Sequence, residues 1–349
     1  MNHIMYLYVI CGGDDGALWY TELTGKIGRL SIPPLTTEYP ITSSYSAPEH
    51  MVNAGSSMWY TEESSSGYQD AIGNITSSGT ITNYSIVPSG WAELRIGNIA
   101  ADSSGNVWFD ACTVNPFDQM YLGELNASTG VVTMHNVSLG ASLCENPGLQ
   151  PGPVAVDASG NIWVSILNNP STGSQSMSLD EFTTSGSLVG GTSEGTADWS
   201  SLNVGPNDTL WATDGLNNTV DDFTLSPTTD EITASSSYAI PTSSSGVSDI
   251  TPGPDGNMWF TENTADKIGV VTPTGVITEY AGPSGGSPAS IVAGPDGALW
   301  FTTTGNLGRI TTSGSVTEYA ATHPYSIVAG PDGALWYTEL TGKIGRLGY

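Results

Sequence analysis

The chain has 349 residues, rich in glycine (43) and proline (21), with 34 acids against 7 Lys and Arg and a formal charge of −27. Only 12% of residues are charged, about half the usual share, so the imbalance comes from missing bases rather than added acids. This excludes the basic patches that nucleic-acid binding needs, and no run of about 20 apolar residues suits a transmembrane helix.

Residues 1–14 hold an apolar stretch without a basic start or a small-residue cleavage site, so they fit a secretory leader poorly. Export is expected from composition instead. Ser, Thr and Asn stand where Lys and Arg are missing, which suits an extracellular or cell-surface protein in an acidic medium, where partly protonated carboxylates repel one another less. Six Asn-x-Ser/Thr sequons, at Asn74, Asn83, Asn126, Asn136, Asn207 and Asn217, would be glycan acceptors on loops if the protein is exported. Three cysteines occur, Cys11, Cys112 and Cys144. Cys112 and Cys144 could pair, or all three could be free or buried thiols; their spacing fits no metal motif.

Eight tryptophans, each preceded by an aliphatic residue or Met, punctuate the chain: Trp19, Trp59, Trp108, Trp163, Trp211, Trp259, Trp300 and Trp336. Their spacings run from 36 to 55 residues, the size of one four-stranded propeller blade. The unit from Ser290 parses into strands Ser290–Ala293, Ala298–Thr302, Leu307–Thr311 and Val316–Tyr319, separated by Gly294-Pro295-Asp296-Gly297 and Ser313-Gly314 turns. Such strands are too short to stand alone, so the ring is the folding unit. The motif tryptophans are expected to fill the gaps between blades. Trp91 and Trp199 fall outside the motif and are expected on an exposed contact surface. Insertions at Cys112–Met120, Asn168–Ser178 and Thr192–Ser200 are expected in loops.

Asp15–Leu30 and Asp332–Leu347 are identical over sixteen residues. The first three strands of the repeat, A, B and C, therefore occur eight times, and strand D seven times. The fold expected is all-β: one propeller domain over residues 1–349, of four-stranded antiparallel blades, with eight repeats forming eight blades. The alternative is a seven-bladed ring closed by Leu35–Ile41, with residues 1–30 a spare copy of the C-terminal repeat. A spare unit with open edges would pair with another subunit as a homo-oligomer or filament.

The units GPDGALWFTT…NLGRITTSGSVTEY and GPDGNMWFTENTADKIGVVTPTGVITEY resemble the virginiamycin B (streptogramin B) lyase family, most clearly at residues 15–40 and 251–349. The resemblance implies a seven-bladed propeller that opens a cyclic depsipeptide by Mg²⁺-assisted elimination. It also implies catalytic histidines in a Pro-His-[Ala/Gly]-Ile context, with glutamates nearby. Pro48-Glu49-His50-Met51 places His50 near that pattern, with Glu62 as its acidic neighbour. His323, His135 and His3 do not match, and the second histidine has no counterpart. Three residues after the motif tryptophan come Glu22, Glu62, Asp214, Glu262 and Glu339. Five acids on one circle could hold Mg²⁺ or Ca²⁺, or each could end its strand in water. Two functions follow. One is a non-catalytic binding or assembly module outside the cell. The other is a carbon–oxygen lyase using His50, Glu62 and a divalent cation.

Overall fold

A computed structural model describes residues 35–42, 47–63, 71–88, 94–113, 120–137, 152–168, 176–226, 229 and 231–348, together with the backbone of 7–12, 17–22 and 27–31. Every described sheet is antiparallel, and all but one meander through consecutive strands. The first three strands, β1 (Leu7–Gly12), β2 (Ala17–Glu22) and β3 (Ile27–Ser31), form a three-stranded sheet of their own. β4 (Leu35–Pro40) belongs elsewhere. Six blades follow in sequence: β5–β8 (47–85), β9–β12 (94–136), β13–β16 (154–194), β17–β20 (199–239), β21–β24 (247–281) and β25–β28 (291–320). Blade seven joins β29 (Pro324–Ala329), β30 (Leu335–Glu339) and β31 (Lys343–Gly348) to β4.

The ring therefore has seven blades, and the eight-bladed closure expected from the repeat count is corrected. β4 pairs with β31, Lys343 opposite Pro40 through Gly348 opposite Leu35, and not with its neighbour β3. The reason lies in the C–D turn. In blades three, five and six, five residues link strands C and D, and the fourth is a glycine at positive φ (Gly186, Gly275 and Gly314, +72° to +88°); Gly79, at +86°, takes the same place before the first C–D pair of blade one, Ile75 with Ile81. Its amide also closes the turn, as Gly314 N to Thr311 O at 2.8 Å. Gap-free alignment of NLGRITTSGSVTEY on KIGRLSIPPLTTEY puts Pro34 at the Gly314 position. Proline fixes φ near −65° and has no N–H, so it can form neither feature. The C-terminal copy has no turn to make and takes the strand.

The strands of blade six, Ile291–Ala293, Leu299–Thr302, Asn306–Ile310 and Val316–Ala320, fall within a residue of their expected bounds. The tryptophans lie between blades as expected: Trp300 packs on Ile327, Leu335 and Tyr337 of blade seven, and Trp336 on Met51, Met58 and Tyr60 of blade one. Each buries about 150–250 Å². The Trp336 indole N–H donates to Asp332 of the preceding turn at 3.0 Å, and Tyr39 from β4 stacks on its ring.

Three expectations need correction. Trp199 is buried, not exposed: it opens strand β17 (Trp199–Val204), donates to Asp221 at 2.9 Å and meets Phe223 edge-on. Trp91 lies outside the described residues. The insertions are only partly loops, since Thr192 belongs to β16 (Leu188–Glu194). Of the sequons, Asn74 is buried within β7 (Ala71–Thr76), where no glycan fits. Cys112 is disulfide-bonded; Cys144 lies outside the described residues.

Candidate functional site

Strand A of every blade lines the axis, leaving a central channel of about 470 Å³. Among the described residues its lining contains one histidine, His50, and one carboxylate, Asp249. Two belts of hydrogen bonds explain most of the polar groups there.

In the first belt, a strand-A side chain accepts the amide of the next blade's strand A. Ser201 Oγ accepts from Ile250 at 3.4 Å, Asp249 Oδ2 from Ile291 at 2.8 Å, Ser290 Oγ from Ile327 at 3.3 Å, and Ser326 Oγ from Met51 at 3.1 Å. In the second, the threonine two residues after the motif tryptophan accepts its own strand-A amide and donates to a carbonyl of the next blade. Thr338 accepts from Ser326 (3.0 Å) and donates to Glu49 (2.7 Å). Thr302 accepts from Ser290 and donates to Tyr325, both at 3.0 Å. Thr261 accepts from Asp249 (3.0 Å) and donates to Ala289 (2.6 Å). Blades hold strands without exposing an edge amide to the dry interior, which matters because each orphaned buried group costs about 1–3 kcal/mol.

His50 takes the same place in this scheme as Asp249, Ser290 and Ser326, since its amide donates to Thr61 at 3.1 Å. The histidine slot of the Pro-His-[Ala/Gly]-Ile pattern therefore falls on Glu49 and Tyr325, and His50 stands one residue further along. Its ring meets Tyr325 edge-on at 5.6 Å between centroids. Burial lowers its pKa to about 4, so the imidazole is neutral above that pH. Asp249 also accepts from Ser201 Oγ (2.7 Å) and from the Ile250 amide (2.9 Å), tying together three blades; burial nevertheless raises its pKa.

The acids three residues after the motif tryptophan do not end in water: Glu62, Asp214, Glu262 and Glu339 are all buried. Each serves its own blade. The Glu62 carboxyl lies beside the Tyr60 hydroxyl, on the face of β6 (Ser57–Glu63) opposite Thr61. Asp214 accepts the amides of Asp198, Leu216 and Asn217 and the Asn217 side chain (2.6–3.1 Å). Burial, and then the neighbouring Glu279, raise Glu262 to about 7, while Lys267 bridges to Glu279 at 2.7 Å. Glu339 is raised by burial and then by Glu38, which Lys343 bridges at 2.5 Å across the β31–β4 latch. The side chain of Glu22 lies outside the described residues. Among the described residues, no group of three or more His, Cys, Asp or Glu is gathered closely enough to hold a metal ion. Glu62, Asp214, Glu262 and Glu339 are thus not gathered into a shared site for Mg²⁺ or Ca²⁺. Aligning the residues two after each tryptophan would have found the threonine belt from sequence; Asp249 carries no such signal.

The belt breaks in blades two and three. Asp110, on β10 (Val107–Thr113), replaces the threonine; it is fully buried and neither oxygen has a hydrogen-bond partner, though the amides of Gly97 and Asn98 lie near. Burial holds its pKa well above the usual range. A carboxylate cannot donate, whereas a carboxylic acid can, so the neutral form fits a slot that elsewhere holds a hydroxyl. Ser165, the blade-three counterpart, is buried with its hydroxyl unpartnered.

The virginiamycin B lyase family model matches residues 192–349, a segment that includes the regular belt of blades five to seven. Among solved structures, a streptogramin B lyase superposes with a TM-score of 0.71 at 25% identity, covering 90% of this chain and 97% of that one. A catalytically inactive virginiamycin B lyase from Staphylococcus aureus with quinupristin gives 0.69 at 25% identity, covering 90% and 99%. The extracellular domain of a putative one component system from Bacteroides thetaiotaomicron gives 0.62 at 13% identity, covering 98% of this chain but 45% of that one, a likeness of fold alone. No curated protein sequence matches. The chain is thus a seven-bladed β-propeller, similar to the virginiamycin B lyase family over residues 192–349.

Proposed function

We propose that this propeller acts outside the cell as a non-catalytic binding and assembly module that associates with copies of itself. The observation that carries the reading is the use of the channel's ionisable groups. Asp249 is taken up by three hydrogen bonds, two of them to the neighbouring blades, and His50 faces Tyr325 with no second histidine among the described lining residues. An elimination needs a base at the substrate and an electrophile for the enolate, and neither role has a free pair of groups among these residues. The disulfide at Cys112 suits an oxidising compartment. The assembly role rests on the three-stranded sheet β1–β3, a repeat unit without its fourth strand.

The similarity to streptogramin B lyases keeps a second reading, a carbon–oxygen lyase that opens a cyclic depsipeptide through His50 and Glu62. Incubating the full chain with quinupristin and millimolar Mg²⁺, read by mass spectrometry, separates the two. The module reading expects intact cyclic compound. Ring opening that is lost in His50→Ala would replace it with the lyase.

A further inference from the structure

In each of the seven blades the outer edge of strand C is covered by strand D. The spare unit differs: β3 is the last strand of its sheet. Its own downstream strand is denied to it, because β4 is held by β31 and because Pro34 stands where the connecting turn needs a glycine with positive φ and an N–H. Among the described strands, eight hold position C and seven hold position D, so exchanging D strands between copies still leaves one of these C edges uncovered.

We propose that β3 of one chain pairs antiparallel with β3 of a second copy, joining two seven-bladed rings across a two-fold axis. The inference rests on the assembly role above and names its interface. Two leftover edges satisfy each other and leave none, which gives a closed isologous pair rather than a growing fibre.

Insertion of the spare unit into a second ring, in place of β29–β31, is the other route by which identical sequences could join. It is disfavoured at strand A. Ile10 opposes Tyr20 as Ile327 opposes Tyr337, so Val9 holds the register position of Ser326. Ser326 accepts the Met51 amide at the ring closure, and valine cannot. The invading copy would orphan that buried amide, whereas edge pairing leaves both rings as they are.

The test is light scattering with size exclusion on the full chain and on a chain lacking residues 1–31, which keeps β4 and every blade. The expected result is a dimer for the full chain and a monomer for the truncated one, with equal melting temperatures. Amide exchange supplies the second measurement: residues 27–31 should exchange at least tenfold more slowly in concentrated full chain than on dilution to monomer. A truncated chain that still dimerises, or full-chain species that grow beyond two copies, overturns the β3 pairing while leaving the assembly role standing. A full chain that is monomeric at every concentration overturns both.

Discussion

Blades five to seven and blades two and three have the same strand order but are stitched differently at the axis. In the first group, Thr261, Thr302 and Thr338 each accept one blade's amide and donate to the next blade's carbonyl. In the second, Asp110 and Ser165 occupy that position without a partner. Packing of tryptophans between blades is common to both. The difference teaches that inter-blade packing suffices to define the ring, while the threonine belt adds rigidity where a repeat is kept regular. Blade seven needs it most, since its strands come from both ends of the chain.

The largest way to break this comparison is to remove the latch. Deleting residues 1–42 takes β4 away, whereas deleting 1–31 spares it. The longer deletion should lower stability by roughly 5 kcal/mol or more and split thermal unfolding into separate transitions, because the whole β4–β31 pairing and the Tyr39–Trp336 stack are lost together. The shorter should leave the melting temperature unchanged. Calorimetry of the two distinguishes them.

Next come matched substitutions in the belt. Thr338→Val leaves the Ser326 amide and the Glu49 carbonyl unpaired in a dry site and should cost about 2–4 kcal/mol in denaturant unfolding. Ser165→Ala removes a hydroxyl that bonds to nothing and should cost under about 1 kcal/mol. Equal losses would remove the distinction between the two regions.

Asp110→Thr restores the belt in blade two and should stabilise by about 1–2 kcal/mol at neutral pH. The sign follows from linkage. A carboxyl whose folded pKa is raised binds a proton that the unfolded chain has released, so its contribution is present in acid and is lost as pH rises above the ordinary carboxyl range. The gain from Asp110→Thr should therefore shrink towards pH 4. Glu262, raised to about 7, follows the same rule between its unfolded pKa and about 7; Glu262→Gln should flatten that decline by about 1 kcal/mol. His50 works the other way, since its pKa is lowered to about 4 and stability is lost as pH falls through that range. Raised carboxyls (Asp110, Asp180, Asp221, Asp222, Asp249, Glu262 and Glu339) outnumber His50 together with the lowered carboxyls Asp255, Asp266, Glu279 and Asp332, which act in the same direction as His50, so pH scans of unfolding should place maximum stability on the acid side of neutrality.

Much of the fold was legible in the sequence. Tryptophan spacing marked the blades, and Gly-Pro-Asp-Gly and Ser-Gly turns set strand ends in blade six to within a residue, because turn chemistry is local. Blade number was not settled by counting repeats, since two identical segments compete for one strand; Pro34 decides, and its effect appears only when it is laid on Gly314. The site was less legible. Residue type places Glu62, Asp214, Glu262 and Glu339 at the end of strand B, but not whether neighbouring strands cover them. Trp199 looked exposed because it stands outside the motif, yet it packs on Phe223 from the head of strand A.

The most direct test of the closure is a pair of double cysteine variants. Thr37→Cys with Arg346→Cys probes β4 against β31, where these residues are opposite, and Thr37→Cys with Arg29→Cys probes the identical position in β3. Oxidation followed by peptide mass mapping should yield a disulfide in the first variant, joining β4 to β31, and none between β4 and β3 in the second. The reverse pattern would mean that β4 folds back on β3, and would contradict both the seven-bladed closure and the open edge that follows from it.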